Sequence, residues 1–535
     1  MNKIKIYDTT LRDGSQSSGI SLTVDDKIKI VKILDDFGID YIEGGWPGSN
    51  FTDMLFFKKI REIKLKNSQI TAFGSTRYKD NKPENDPNLR AILRSKVKVA
   101  CIFGKSWDFQ VRCALKVSLE DNLKMIYESI EFLKKKGLSV IYDAEHFFDG
   151  FKSNKEYTLK TVKKAIEAGA FNITFCDTNG GCLPHEIQEI LKVSIIELRK
   201  IKSDIEFGIH THNDSETAVA NSIIAVKEGV ELVQGTINGY GERCGNANLC
   251  SVIPNLQFKL GMKCISENNM KKLTQISRSI AEIVNITPNQ LQPFVGYSAF
   301  AHKGGIHVSA VSKHTNTYEH ISPSLVGNER RILISELSGK SNILSKIKEL
   351  KLNFAKDEKS IQKIIKIIKN LEHLGYQFEE ADASFALTVR KALNKHIPFF
   401  ELKGFKVIVE KNILTKEMKS EAIIKISVDG KEEHTASDGD GPVNALDNAL
   451  RKALEKFYPE LKEISLHDFK VRVINATKGT AAKVRVLIET GDKNDTWGTI
   501  GVSENIIEAS WQALVDAIEY KLLKKTKIKK GGVFK

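Results

Sequence analysis

The sequence predicts an α/β chain: a (β/α)8 TIM barrel, then a mostly helical linker region, then a pseudo-symmetric α+β regulatory domain. Three observations predict it. One strand–helix unit recurs over roughly the first 260 residues. Polar, chemistry-bearing residues gather at the ends of the predicted strands. From about residue 400 a β-β-β-α pattern occurs twice.

The repeating unit is an amphipathic helix that stops at a glycine and is followed by a short β-rich run. Thr23 opens one helix with a capping-type start. Its apolar positions Ile28, Val31, Leu34 and Phe37 are helically spaced, and Gly38 closes it before Tyr41-Ile-Glu43. Asn122 to Lys136, Thr158 to Ala168 and Ser215 to Glu228 repeat the arrangement, ending at Gly137, Gly169 and Gly229. Strands are expected near Ile4, Tyr41, Ile70, Val97, Val140, Ile173, Phe207 and Leu232, the count of a closed barrel. An open doubly wound sheet would carry a glycine-rich phosphate loop after its first strand. Here Asp8-Thr-Thr-Leu-Arg-Asp-Gly14 stands in that place.

Arg12 and Asp13 follow strand one, Glu43 ends strand two, and Asp143 and Glu145 end strand five. Asp177, Thr178 and Asn179 end strand six, and His210 and His212 end strand seven. Asn238 and the turn Gly241 to Asn246 follow strand eight. Barrel enzymes draw their catalytic groups from these C-terminal strand ends. Alternation along a strand points His210 and His212 to one side. With Asp13 they make a three-ligand metal site with open positions. The bland alternative is that one histidine caps a turn and the other packs.

Residues 275–395 read as mostly helical, with a strongly amphipathic helix at 360–374 and a glycine-rich, two-histidine loop from Ala301 to His307. In the C-terminal repeat, Phe405-Lys-Val-Ile-Val aligns with Phe469-Lys-Val-Arg-Val, and Ala422 to Val428 aligns with Ala482 to Ile488. Helices follow at Pro442–Phe457 and Glu504–Leu523. Such a module holds no catalytic constellation and suits sensing or assembly. The expected domains are 1–275, a barrel with its site at the strand ends; 276–395, helical linker subdomains; and 396–535, an α+β module for sensing or assembly.

The chain has 535 residues, too many for a single core. Hydrophobic content of 41% and charged content of 28% describe a soluble globular protein. No apolar run approaches a membrane span, and the N-terminus enters a strand without signal-peptide architecture. Seven cysteines without CxxC pairs read as reduced thiols of a cytoplasmic protein. Cys244 and Cys250 read as packing residues. The net charge of +14 suits anionic small molecules. No aromatic-interleaved basic cluster points to nucleic acid, and the Lys524 to Lys530 tail reads as a frayed end.

Four motifs in order carry a resemblance that spans the chain. They are Asp8-Thr-Thr-Leu-Arg-Asp-Gly-Ser-Gln16, His210-Thr-His-Asn-Asp214, Gly239-Tyr-Gly-Glu-Arg-Cys-Gly-Asn246, and Ala301-His-Lys-Gly-Gly-Ile-His-Val308 with Glu336-Leu-Ser-Gly-Lys-Ser-Asn342. Together they resemble the metal-dependent Claisen-condensing barrel enzymes, the 2-isopropylmalate, homocitrate and citramalate synthases. Glu43 to Asn50 and Asp143 to Asp149 are most similar to the longer-chain, citramalate-forming branch.

The resemblance implies condensation of acetyl-CoA, as co-substrate, with pyruvate. It implies a divalent cation on Asp13, His210, His212 and Asn246. Mixed N and O donors do not choose among Mg, Mn, Zn and Co. It implies catalytic roles for Arg12, Glu145, His307 and Tyr318, the last two in the neighbouring subunit. It implies substrate contacts by Arg12, Gln16 and Thr178, a homodimer, and isoleucine as effector. The rival readings are the same condensation on another 2-oxo acid, a lyase or carboxyl-transferase on a similar barrel, an iron oxygenase, and a non-catalytic sensor.

Overall fold

A computed structural model describes residues 3–333, 340–350, 352, 357–411, 413–414, 416–474, 479 and 481–529. The chain divides into two compact units. One is Met1–Phe300 with Ile321–Glu329, and the other is Ala301–His320 with Arg330–Lys535.

In the first unit eight strands form a closed, all-parallel barrel in sequence order: β1 Lys5–Asp8, β2 Tyr41–Glu43, β3 Gln69–Ser75, β4 Val99–Lys105, β5 Ser139–Glu145, β6 Asn172–Asp177, β7 Glu206–Thr211 and β8 Leu232–Gly235. The ring closes where β1 pairs with β8, Lys5 opposite Leu232 and Asp8 opposite Gly235. All eight lie where the sequence puts them. The helices between and after them are α1 Val24–Phe37, α2 Phe51–Ile60, α3 Pro87–Ser95, α4 Leu119–Lys135, α5 Phe147–Ala168, α6 Pro184–Arg199, α7 Ala218–Lys227 and α8 Leu249–Lys259. Thr23 and Asp26 form the capping box of α1, and Gly38 ends it in the left-handed conformation. Helix α5 starts earlier than Thr158. Two helical pieces run together across a break at Asn154, so its N-terminal piece reaches back to the end of β5.

Strand alternation divides the core. Ile6, Ala100, Ile102, Val140 and Tyr142 pack with the surrounding helices. Their strand neighbours Tyr7, Val99, Cys101 and Ile141 form a separate cluster with Phe73 and Leu232 that fills the lumen. Helix α9, Leu273–Ile283, completes this unit's helical set.

The second unit begins with a two-stranded parallel pairing of β9 Ala301–His302 and β10 Arg331–Ile332. The stretch expected to be a loop up to His307 is therefore part strand and part helix. Gly304 takes the N-cap position with extended backbone, and α10, Gly305–Lys313, carries His307 in its first turn. Helices α11 Lys340–Glu349, α12 Glu358–His373 and α13 Asp382–Ala392 follow. Glu336 to Gly339, the first four residues of the motif ending at Asn342, lie outside the described residues.

Two antiparallel β-β-β-α halves come next. The first is β11 Glu401–Lys411, β12 Met418–Val428, β13 Lys431–Gly439 and α14 Pro442–Leu454. The second is β14 Ser465–Val473, β15 Val484–Gly491, β16 Thr496–Ser503 and α15 Ile506–Lys529. The register shifts at the same step in each, between Leu402 and Gly404 and between Leu466 and Asp468, just before Phe405 and Phe469. Ile424, Leu446, Leu450, Trp497 and Trp511 share one core. The basic tail does not fray at Lys524. Its Nζ lies 4.6 and 4.8 Å from the Trp497 and Tyr520 ring centroids, and α15 continues to Lys529. No helix among the described residues is long and apolar enough to cross a membrane.

Candidate active site

The C-terminal mouth of the barrel holds a cavity of about 200 Å³ lined by Arg12, Asp13, Gln16, Glu145, Thr178, His210 and His212, with Trp46, Phe73, Phe103, Asp143 and Arg243. Seven residues singled out in the sequence thus share one space.

Asp13, His210 and His212 bring one ligand atom each within 4.8 Å of the others. They are 2%, 6% and 6% exposed. The two imidazole Nε2 atoms are 3.3 Å apart, and His210 Nε2 is 3.5 Å from Asp13 Oδ2. Asp13 Oδ1 and Asn246 Oδ1 are buried with no hydrogen-bond partner. Buried oxygens in that state carry a desolvation cost that a cation removes. Asn246 arrives through the turn after β8, where its backbone bridges His212. Gly245 permits that turn. Its φ is +89°, and a Cβ there would lie 2.0 Å from the Gly239 carbonyl oxygen.

Gln234, in the middle of β8, fixes one ligand. Its Oε1 is 2.8 Å from His210 Nδ1, while its Nε2 donates to Asp143 Oδ1 at 2.9 Å. The amide oxygen can only accept, so Nδ1 carries the proton and the Nε2 lone pair faces the cluster. Burial, the largest cause, holds His212 at about 3, so its ring stands neutral as a ligand. Burial would raise Asp13, but the charge of the adjacent Arg12 guanidinium works against it, and the carboxylate stays at about 2. This set of neutral imidazoles, a carboxylate and an unsatisfied amide oxygen fits a divalent cation.

Arg12 is clamped on three sides. Nε donates to Glu43 Oε2 at 2.5 Å, Nη1 donates to Asp13 Oδ2 at 3.0 Å, and the guanidinium carbon sits 3.8 Å from the Phe73 ring centroid. Tyr7 holds the far oxygen of Glu43 at 2.7 Å. Burial works against the Arg12 charge, but Glu43 and Asp13 outweigh it. Glu145 pairs with Lys105 on the neighbouring strand. Thr178 Oγ1 accepts from the His146 amide at 2.9 Å, and its carbonyl accepts from Arg243, which forks onto Asp214 at 2.7 and 2.9 Å.

His307 and Tyr318 belong to the second unit. Their rings stack at 4.1 Å and 25°. Glu319, next to Tyr318, is buried and receives both fork nitrogens of Arg330 at 2.5 Å, with His302 Nε2 at 3.2 Å. Asn342 donates to the carbonyls of Lys303 and Leu333.

Among the residues the sequence does not single out are Gln234, Glu319 and the rings of Phe73 and Phe103; Trp46 falls within the Glu43 to Asn50 motif but is given no role there. A lone amide inside the apolar run Leu232–Gly235 is the signal for Gln234. The aromatics carry none, because a ring lining a site and a ring in a core look alike. Cys250 is a buried packing residue, its thiol pushed by burial to about 12. Cys244 is not: it sits exposed in the turn.

Residues 3–280 match the HMGL-like family, 294–375 the homocitrate synthase post-HMGL domain-like family, and 379–522 the LeuA allosteric (dimerisation) domain. The chain is 55% identical over 528 residues to the (R)-citramalate synthase of Geobacter sulfurreducens, covering 99% of both chains. It is 54% identical over 522 residues to that of Aquifex aeolicus, covering 98% of both. To the 2-isopropylmalate synthase of Methanocaldococcus jannaschii it is 32% identical, over 98% of this chain and 96% of that one.

Proposed function

The chain belongs to the family of Claisen-condensing 2-isopropylmalate, homocitrate and citramalate synthases, in its (R)-citramalate synthase branch, and from that premise we propose how its residues divide the work. The reaction joins the acetyl methyl of acetyl-CoA to the keto carbon of pyruvate and hydrolyses the thioester, giving (R)-citramalate and CoA. It is an acyl transfer in which the acyl group is converted into an alkyl group on transfer and CoA leaves. The observation that carries the assignment is the buried Asp13–His210–His212 cluster with its unpartnered oxygens, in a chain whose whole length matches this branch.

Asp13, His210, His212 and Asn246 hold a divalent cation that, when bound, supplies Lewis acidity to the 2-oxo acid. Arg12 keeps a fixed positive charge beside the oxygen that gains charge as the new C–C bond forms. Thr178 and Gln16 bind the pyruvate carboxylate. Glu145, with His307 and Tyr318 supplied by the neighbouring subunit, moves the methyl proton and activates water. The division into barrel, linker and regulatory domain at about residues 275 and 395 follows from these roles.

The LeuA-type repeat forms the homodimer and binds isoleucine, the end product of the route, between copies. The enzyme works in the cytoplasm, where its free cysteines stay reduced. The test is a CoA-release assay over a panel of 2-oxo acids, with and without a chelator and isoleucine. Metal-dependent turnover with the largest kcat/KM for pyruvate and inhibition by isoleucine is expected. A larger kcat/KM for 2-oxoisovalerate would move the chain to the 2-isopropylmalate branch.

A further inference from the structure

The cavity beside Arg12 has an aromatic side that the cation site does not use. Trp46 meets Phe73 and Phe103 edge-on, each at 5.7 Å, and those two rings stack at 5.3 Å. All three line the same cavity as Asp13 and His210. The carboxylate and keto oxygens of a 2-oxo acid go to the cation and to polar groups, so its alkyl end faces the remaining apolar surface.

Trp46 is on the loop after β2 and is held there at both ends. Its amide donates to Asp53 Oδ2 at 2.8 Å, and its indole Nε1 donates to Asn88 Oδ1 at 2.7 Å. Asn88, in the first turn of α3, donates in turn to the Ser75 carbonyl at the end of β3. Asp53 is fixed by Lys27, a lysine buried between α1 and the loop that also reaches the Gly44 carbonyl at 3.2 Å. Gly45 lets Asp53 come so close: its φ is +141°, and a Cβ there would overlap the Asp53 carboxylate at 2.4–2.7 Å.

A buried ion pair and an amide thus serve one ring, although none of these three side chains lines the cavity. Burying a lysine–aspartate pair contributes little to stability when weighed against apolar side chains of the same volume. What it supplies here is a fixed position for the indole.

We infer that Trp46 is the size gate of the 2-oxo acid pocket, and that Asn88 and Asp53 are positioning residues that set its stringency. The inference rests on the reading of this cavity as the 2-oxo acid site. A rigid ring bars a longer alkyl end. A freed ring swings aside and admits it.

The experiment compares Trp46→Phe, Asn88→Leu and the double variant in the full-length, metal-loaded enzyme. It reads kcat/KM for pyruvate and for 2-oxobutyrate, which is one methylene longer. One methylene is worth about 10-fold or more in a well-fitted pocket. Each single variant is expected to shift the ratio about 10-fold toward 2-oxobutyrate. The double variant should shift it no further, because both changes remove the same hydrogen bond. Asn88→Gln, which keeps both an acceptor for the indole and a donor for the Ser75 carbonyl, should stay nearer the wild-type ratio than Asn88→Leu. If both acids lose rate in parallel, or if the single shifts multiply in the double variant, the gate is wrong. Trp46→Phe alters only one ring and keeps the test decisive should Asn88→Leu fail to fold. If the wild-type enzyme does not turn over pyruvate, the reading of the site fails before the gate is tested.

Discussion

The residues assigned to one reaction are built in two ways. Asp13 follows β1, and His210 and His212 end and follow β7, on either side of β8 in a closed ring; all three are nearly inaccessible, with Gln234 dictating the tautomer of one of them. His307 and Tyr318 ride on a short helix and a single turn of 3-10 helix in the other unit. There Ile306 is 81% exposed and Tyr318 46%. A cation needs donors fixed to fractions of an ångström, and a barrel fixes them. Proton transfer tolerates looser placement between turnovers than metal ligation does, which suits the proposed relay to the less buried element. The Glu319–Arg330–His302 cluster anchors the chain next to Tyr318.

The largest effect should come from the fixed side. Asp13→Ala or His212→Ala removes a ligand worth several kcal/mol, so condensation should drop by roughly 10³-fold or more while circular dichroism stays native. Full activity in metal-stripped His212→Ala enzyme would break the contrast at its root. Next come His307→Ala and Tyr318→Phe, expected to cost roughly 10²–10⁴-fold in kcat with unchanged metal content by elemental analysis. Loss of metal from either variant would mean that the two sets are one. Gln234→Leu sharpens the fixed side. It frees the His210 ring and should weaken metal affinity about 10–100-fold in a chelator titration, with kcat at saturating metal far less affected.

The smallest effect probes the C-terminal end of β1. Asp8 is fully buried. Burial drives its carboxyl up to about 7, against the hydrogen bonds from Thr10. An unfolded aspartate titrates near 3.9. Between those values the folded chain keeps a proton that the unfolded chain has lost, so the stability Asp8 contributes at acid pH is lost as pH rises to about 7. The unfolding free energy of Asp8→Asn relative to wild type should therefore move in the variant's favour by about 2 kcal/mol between pH 5 and pH 8. A difference that does not vary with pH would show that Asp8 is already ionised at pH 5.

The barrel was legible because its signals are local and periodic. Gly38, Gly137, Gly169 and Gly229 punctuate the units, and polar residues mark the strand ends. His210 and His212 were readable because spacing alone fixes where alternate side chains point. Glu319 was not. Its role depends on Arg330 and His302, which no periodic pattern joins to it. The strand at Ala301–His302 was equally invisible, since two residues give no period and two nearby glycines look like a loop. Trp46 was legible only as a member of the Glu43 to Asn50 motif, because its bond to Asn88 on a later helix has no local signal.

The ring closes between its first strand and its last, and that fixes an order of events on the ribosome. Asp13 is made near the start of synthesis, yet it cannot meet His210 until β8 has been made and slotted beside β1. Asn246 comes later still. A nascent chain that stops short of Leu232 holds an early carboxylate and, at best, two late imidazoles with no frame between them. It has no pocket in which to trap a stray ion. The last eighth of the barrel acts as the clasp that brings the early carboxylate and the late imidazoles together.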